Sequence, residues 1–195
     1  MTEFSDSLCN TYFAARHGES EANARGIIVS DPKIGTSGFG LTATGTQQVL
    51  ESAGLLANLG RNFLIVSSDF VRTQETAELL HSVVDSSTPV VLNHLLRERF
   101  FGKWDGQSDT NYSRVWEQDK HDSDHEVGGV ESVTSVVSRI TRLISQLEHD
   151  YAATNVLVVS HGDVLQIMQC VFEDVAVTQH RELPSLHTAE IRRFN

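Results

Sequence analysis

The chain has 195 residues, 39% hydrophobic and 21% charged, an ordinary globular balance with enough length for one sizeable core. Fifteen Lys and Arg against 26 Asp and Glu give a formal net charge of −11, and no basic run relieves it locally, which argues against nucleic acid or an anionic membrane as a partner. No stretch approaches the roughly 18 apolar residues of a membrane span, and the acidic opening "MTEFSDSLCN" has no apolar signal segment, so the cytoplasm is the default location.

Residues 1–10 are expected to be a flexible extension of a single domain spanning 1–195. A β-rich run from Thr11 to Ala15 then ends in Arg16, His17 and Gly18. Segment 24–40, with four glycines and a proline, is expected to be a surface loop, and a helix is predicted from Thr42 to about Leu59. "NFLIVSSD" is a near-continuous apolar run of the kind buried on both faces of a parallel sheet, and a helix should follow from Phe70 to about His81. A third strand is read in "PVVLNHLL" from Pro89, and a weaker helix near Ser108 to Glu117. Segment 118–129, charged and aperiodic, is expected to be a solvated loop; its "HDSDHE" could in principle space metal ligands, but solvation is the favoured reading.

From Ser132 to about Tyr151 the apolar residues Val133, Val136, Val137, Ile140, Leu143, Ile144 and Leu147 keep helical spacing, so one face should cover a sheet. "NVLVVSHG" repeats the passage from buried strand to His and Gly, a helix is predicted from Val164 to Phe172, and "AEIRRF" is a last short strand. Thr42, Asp69, Ser108, Ser132 and Asp163 stand where helix caps are expected. The alternation predicts an α/β three-layer sandwich, with helices on both faces of a mostly parallel sheet. Cys9 and Cys170 lie far apart without metal-type spacing and read as free thiols.

Ligands of open α/β sheets bind outside the carboxyl ends of the strands. The residues there are Arg16, His17 and Gly18; Ser68, Asp69 and Arg72; Arg97, Glu98 and Arg99; and Ser160, His161 and Gly162. Arginine offers a planar fork of donors matched to phosphate oxygens, histidine can form a covalent intermediate, and glutamate can pass a proton to a departing oxygen. Together they suit phosphoryl transfer without a metal or other cofactor, on a small phosphorylated molecule. Glu117, Glu126 and Glu131 compete for the acid role, but the strand-end position favours Glu98. Neither cysteine heads a Cys-x5-Arg phosphate loop, since Ala15 and Ala176 stand at the arginine position.

The blocks "RHGES" with Asn23, "LTATGTQQ", "SSDFVRTQETA", "LRERFFGKWDG", "GGVES" and "VVSHGD" run in one order over residues 11–194. In them the chain resembles the histidine phosphatase superfamily, in the branch similar to cofactor-dependent phosphoglycerate mutase. The resemblance implies that His17 becomes phosphohistidine. Arg16, Arg72 and His161, with Asn23 and Gly162, would hold the transferred phosphoryl group, and Glu98 would act first as acid and then as base. Where mutases of the family carry a tyrosine and then a lysine beyond the acid, this chain has Phe101 and Asp109, and in place of their paired arginines it has only Arg114. Val130 also replaces the usual second glycine of "GGVES". These departures favour a phosphatase of a small phosphorylated metabolite, such as a sugar phosphate. A mutase-type phosphotransferase and a catalytically silent phospho-ligand binder are the alternatives.

Overall fold

The computed structural model describes residues 8–57, 63–84 and 88–195. Strand β1 (Thr11–Arg16) is followed by two short helices, α1 (Glu21–Arg25) and α2 (Pro32–Gly35), and by α3 (Ala43–Ala57). Next come β2 (Phe63–Ser67), α4 (Val71–Val84), the two-residue β3 (Val91–Leu92) and α5 (Tyr112–Asp119). The chain closes with α6 (Val133–Asp150), β4 (Asn155–Ser160), α7 (Gly162–Glu173) and β5 (Ile191–Arg193). The five strands lie in the order β3-β2-β4-β1-β5, parallel except for the antiparallel edge strand β5.

Side chains alternate across this sheet as the pleat requires. Tyr12, Ala14, Leu64, Val66, Val156 and Val158 pack with α6 and α7 on one face, while Phe13, Ala15, Phe63, Ile65, Leu157 and Val159 pack with α3 and α4 on the other. Helix α6 buries Val133, Val136, Ile140, Leu143, Ile144 and Leu147 as its periodicity predicts; Val137, at the edge of that stripe, is half-buried. Each fully buried aliphatic side chain of this stripe contributes about 1.5–3 kcal/mol. Ser132 caps α6 by accepting the Ser135 N–H at 3.2 Å, and Thr42 accepts the Gly45 N–H at 3.0 Å at the start of α3.

The sheet sets up the site through register. Arg16 pairs with Ser160 and Ser67 with Val159, so β1, β4 and β2 end level with one another. The chain leaves β4 toward the α6–α7 layer and β1 toward the α3–α4 layer, which opens a crevice between these neighbouring strands.

Several expectations change. The strand read from Pro89 is reduced to two residues, because Asn93 turns the chain by accepting the Leu95 N–H at 2.9 Å, starting a 3-10 turn over His94–Leu96. Asp69 and Asp163 do not cap helices: Asp69 holds Arg97 at 2.6 Å, and α7 begins one residue before Asp163, behind His161. Segment 24–40 is a surface loop only in part: Ala24, Arg25, Lys33, Ile34 and Ser37 are exposed, but the segment holds α2 and a buried stretch. Ile28, Val29 and Ser30 are buried, and the Asp105 carboxylate accepts the N–H groups of Ser30 and Asp31 at 2.6 and 3.0 Å. The predicted end of α3 near Leu59 and the first seven residues lie outside the described residues. Asn10, within the expected extension, is buried and donates to Glu148 Oε1 at 2.8 Å and to the Tyr151 carbonyl at 3.0 Å. Neither Cys9 nor Cys170 forms a disulfide among the described residues.

Candidate active site

His17 leaves β1 with its ring fixed at both nitrogens. Nδ1 lies 2.7 Å from the Gly18 carbonyl oxygen, which can only accept, so Nδ1 carries the proton and Nε2 presents its lone pair. Arg72 Nε donates to that lone pair at 3.1 Å from the second residue of α4. Burial, reinforced by the charges of Arg72 and Arg16, holds the His17 pKa well below that of a free imidazole. The ring is therefore neutral at physiological pH.

Arg16 and Arg72 flank this histidine. Arg16 donates from Nη1 to the Leu186 carbonyl at 2.8 Å, and Arg72 from Nη2 to the Val29 carbonyl at 3.1 Å. Arg16 Nε and Arg72 Nη1 are buried without a hydrogen-bond partner. Two orphaned cationic donors on one cavity wall are costly unless an anion completes them. His161 caps α7 from behind: its ring meets that of His17 edge-on at 5.3 Å, Nε2 lies 3.0 Å from Ser68 Oγ, and Nδ1 has no hydrogen-bond partner. Burial and the Arg72 charge push its pKa down as well.

Glu98 sits just beyond the 3-10 turn, where Oε1 accepts the Arg99 N–H at 3.0 Å. Its Oε2 is 3.9 Å from both Arg72 Nη2 and His161 Nδ1. Burial pushes its pKa up to about 7; Arg72 opposes this and the Asp163 charge adds to it. The competing glutamates are elsewhere engaged, Glu117 with Lys120 at 2.9 Å and Glu131 with Arg139 at 2.8 Å, while Glu126 is exposed.

Arg16, His17, Asn23, Arg72, Glu98 and Gly162 line one cavity of about 270 Å³. His161 stands behind that wall. Asn23 reaches it, but its Oδ1 belongs to a capping box, accepting the Ser20 N–H at 3.0 Å. The two glycines serve different contacts. A Cβ on Gly162 would lie 3.2 Å from the Arg16 guanidinium, so that glycine gives the arginine its place. A Cβ on Gly18 would meet the Gly45 carbonyl oxygen at 2.5 Å, so this glycine lets α3 approach.

Residues 12–195 match the profile of the histidine phosphatase superfamily, branch 1. The chain belongs to that superfamily. Among its relatives is the adenosylcobalamin/alpha-ribazole phosphatase of Escherichia coli K12, 31% identical over 161 residues that make up 78% of this chain and 74% of the relative. The 2,3-bisphosphoglycerate-dependent phosphoglycerate mutase of Rhizobium etli is 30% identical over 169 residues, 82% of this chain and 78% of that one. The mycobacterial glucosyl-3-phosphoglycerate phosphatase solved with VO3 superposes with a TM-score of 0.78 at 22% identity, covering 93% of this chain and 90% of that one, a likeness of fold.

The cavity wall also holds Ile27, Val29, Tyr112, Trp116, Asp163, Arg181 and Ser185, none of which the sequence pattern assigns to the site. Tyr112 and Trp116 carry a signal, since they stand one helical turn apart and stack at 5.2 Å. Arg181, in the 3-10 segment Val177–Glu182, has none. Asp119 and His125, read as part of a solvated charged loop, are buried: His125 Nε2 lies 2.7 Å from Asp119 Oδ1, and Asp119 takes Arg99 bidentately at 2.7 Å from each oxygen. Arg25, Lys33 and Arg114 do not reach the cavity wall.

Proposed function

We propose that this protein is a phosphomonoester hydrolase that works through phosphohistidine at His17 and needs no metal. The observation that carries the reading is the fixed tautomer of His17, whose Nε2 lone pair is aimed where the free donors of Arg16 and Arg72 would hold a phosphoryl group. His17 Nε2 attacks phosphorus, the bond to the alcohol oxygen breaks, and Glu98 gives that oxygen its proton. Arg16, Arg72 and His161 stabilise the charge on the equatorial oxygens, with Asn23 and the Gly162 backbone at the margin. Glu98, now a carboxylate, takes a proton from water as the water attacks the phosphohistidine, releasing inorganic phosphate and restoring both groups.

Hydrolysis is favoured over transfer by the surroundings of the acid. Phe101 is fully buried among Ile28, Val115 and Val130, Asp109 brings a negative charge to the wall, and Arg114 turns away over Trp104. The segment 99–117 beyond the acid thus places no cation at the cavity wall, where a mutase would need it to pass a phosphoryl group back to its acceptor. A small phosphorylated metabolite fits the cavity volume.

The test is phosphate release from a panel of phosphorylated metabolites, with and without EDTA, together with alkaline SDS quenching of enzyme incubated with ³²P-labelled ester. Turnover that EDTA does not reduce, with acid-labile label lost in the His17→Ala variant, is expected. Restoration of an EDTA-treated enzyme by Mg²⁺ or Zn²⁺ would overturn metal independence. Interconversion of 2- and 3-phosphoglycerate without phosphate release would favour the transferase, and vanadate binding without any turnover the silent binder.

A further inference from the structure

The outer cavity wall is built around a third guanidinium. Arg181 lies with Cζ 3.6 Å from the centre of the Trp116 ring, and Trp116 is stacked on Tyr112 with ring planes 7° apart. Its Nη1 is committed to the side chains of Gln166 and Asp163, the latter at 3.4 Å. Asp163 is itself held, accepting from Trp116 Nε1 at 2.9 Å and from Arg99 Nη1 at 3.3 Å. The plane of the Arg181 fork is thereby fixed at one corner and along one face. Its other edge, Nε with Nη2, has no hydrogen-bond partner among the described residues.

That open edge separates Arg181 from the structural arginines nearby. Arg99 has all three nitrogens engaged, with Glu131, Asp119 and Asp163, and Arg97 spends the same Nε/Nη2 edge on Asp69. Among the described residues of the cavity wall, Arg181 is the one arginine or lysine outside the pair beside His17. A pre-oriented Nε/Nη2 edge matches two oxygens of a planar carboxylate, or of a phosphoryl group, through parallel charge-assisted hydrogen bonds.

We propose that Arg181 is a specificity-determining residue that binds a second oxyanion carried on the alcohol portion of the substrate. The inference rests on the hydrolase reading above. Arg181 lines the cavity and is partly exposed, so an ester with a neutral alcohol leaves this edge without an anion, whereas an acidic one can give it two oriented bonds on a cation that the Trp116 stack has already ordered. The gain is in substrate binding, so it falls mainly on KM.

Three matched esters test it: 3-hydroxypropyl phosphate, its counterpart ending in a carboxylate, and the bisphosphate of propane-1,3-diol. Wild-type kcat/KM should be about tenfold or more higher for at least one acidic ester than for the hydroxyl ester, and the preference should shrink with added salt. Comparison of the two acidic esters identifies which oxyanion is taken. In R181Q the preference should collapse, chiefly through KM, and R181K should recover part of it. Because Arg181 also contacts buried groups, the salt dependence of the wild-type preference stands as a readout if R181Q folds poorly. Hydrolysis of all three esters without preference, or an equal loss on all three in R181Q, overturns this inference alone. No hydrolysis of any ester by the wild type overturns the hydrolase reading and this inference with it.

Discussion

Arg72 Nε sits 3.1 Å from His17 Nε2, so the cation covers the lone pair that would attack phosphorus. In the proposed reaction a phosphoryl oxygen takes over the guanidinium before the nitrogen can reach phosphorus, which would couple anion binding to release of the nucleophile.

Replacing Arg72 by Gln tests both halves of this coupling. Turnover should fall on the order of 10²–10³-fold, the scale of losing one oriented donor at a developing charge. The His17 pKa should also rise toward that of a free imidazole, because the Arg72 charge contributes to lowering it. Heteronuclear NMR of the imidazole across pH reads the second effect, and an unmoved His17 titration would refute the coupling.

Glu98 is expected to set the alkaline limit of the proposed reaction. With its pKa pushed up to about 7 it is protonated below neutrality and able to donate, so kcat/KM should fall as pH rises through about 7. The same burial costs stability. The folded pKa lies above the ordinary carboxylate value of 4.5, so between those pH values the folded state binds more protons than the unfolded, and stability declines with rising pH. Glu98→Gln should abolish turnover and yet resist urea better than the wild type at pH 8, by up to about 3 kcal/mol. Equal stability of the two at pH 5 and pH 8 would show that the carboxyl is not strained by burial.

Gly162→Ala places a methyl 3.2 Å from the Arg16 guanidinium, tight enough that the arginine must shift by tenths of an ångström. Alanine suits the first turn of a helix, so the melting temperature should hold within about 2 °C. Phosphate release should drop by about tenfold or more. Full activity would mean that the position of Arg16 is not critical.

Asp119→Ala probes the buried cluster beneath the outer wall. It strips the Arg99 guanidinium, fully buried, of its bidentate partner and leaves Asp163 at 3.3 Å as the remaining carboxylate. A loss of about 3–5 kcal/mol in urea unfolding is expected, with Asp119→Asn intermediate.

The strands, the main helices and the order of the layers are determined by the sequence, because hydrophobic period and strand-end punctuation are local. The same local signal lists Arg16, His17, Arg72, Glu98 and His161 as strand-end residues. Only the register of β1, β4 and β2, with the turn after β3, brings Arg16, His17, Arg72 and Glu98 to one cavity with His161 behind its wall, and only the Gly18 carbonyl and Arg72 decide which nitrogen of His17 carries the proton. Gly18 and Asp163 show the limit of local reading, since a glycine's closest neighbour and a carboxylate's partner are set by distant chain: Gly45 for one, Arg99 and Trp116 for the other. The 118–129 segment reads as solvated because its charges are dense, and Asp119 is buried because Arg99, 20 residues away, supplies the compensating charge. Arg181 lies furthest from what sequence can reveal: the orientation of its fork depends on an aromatic ring from α5 and a glutamine from α7. Pairwise contacts across the fold, which no local pattern encodes, decide the orientation of every donor in the site.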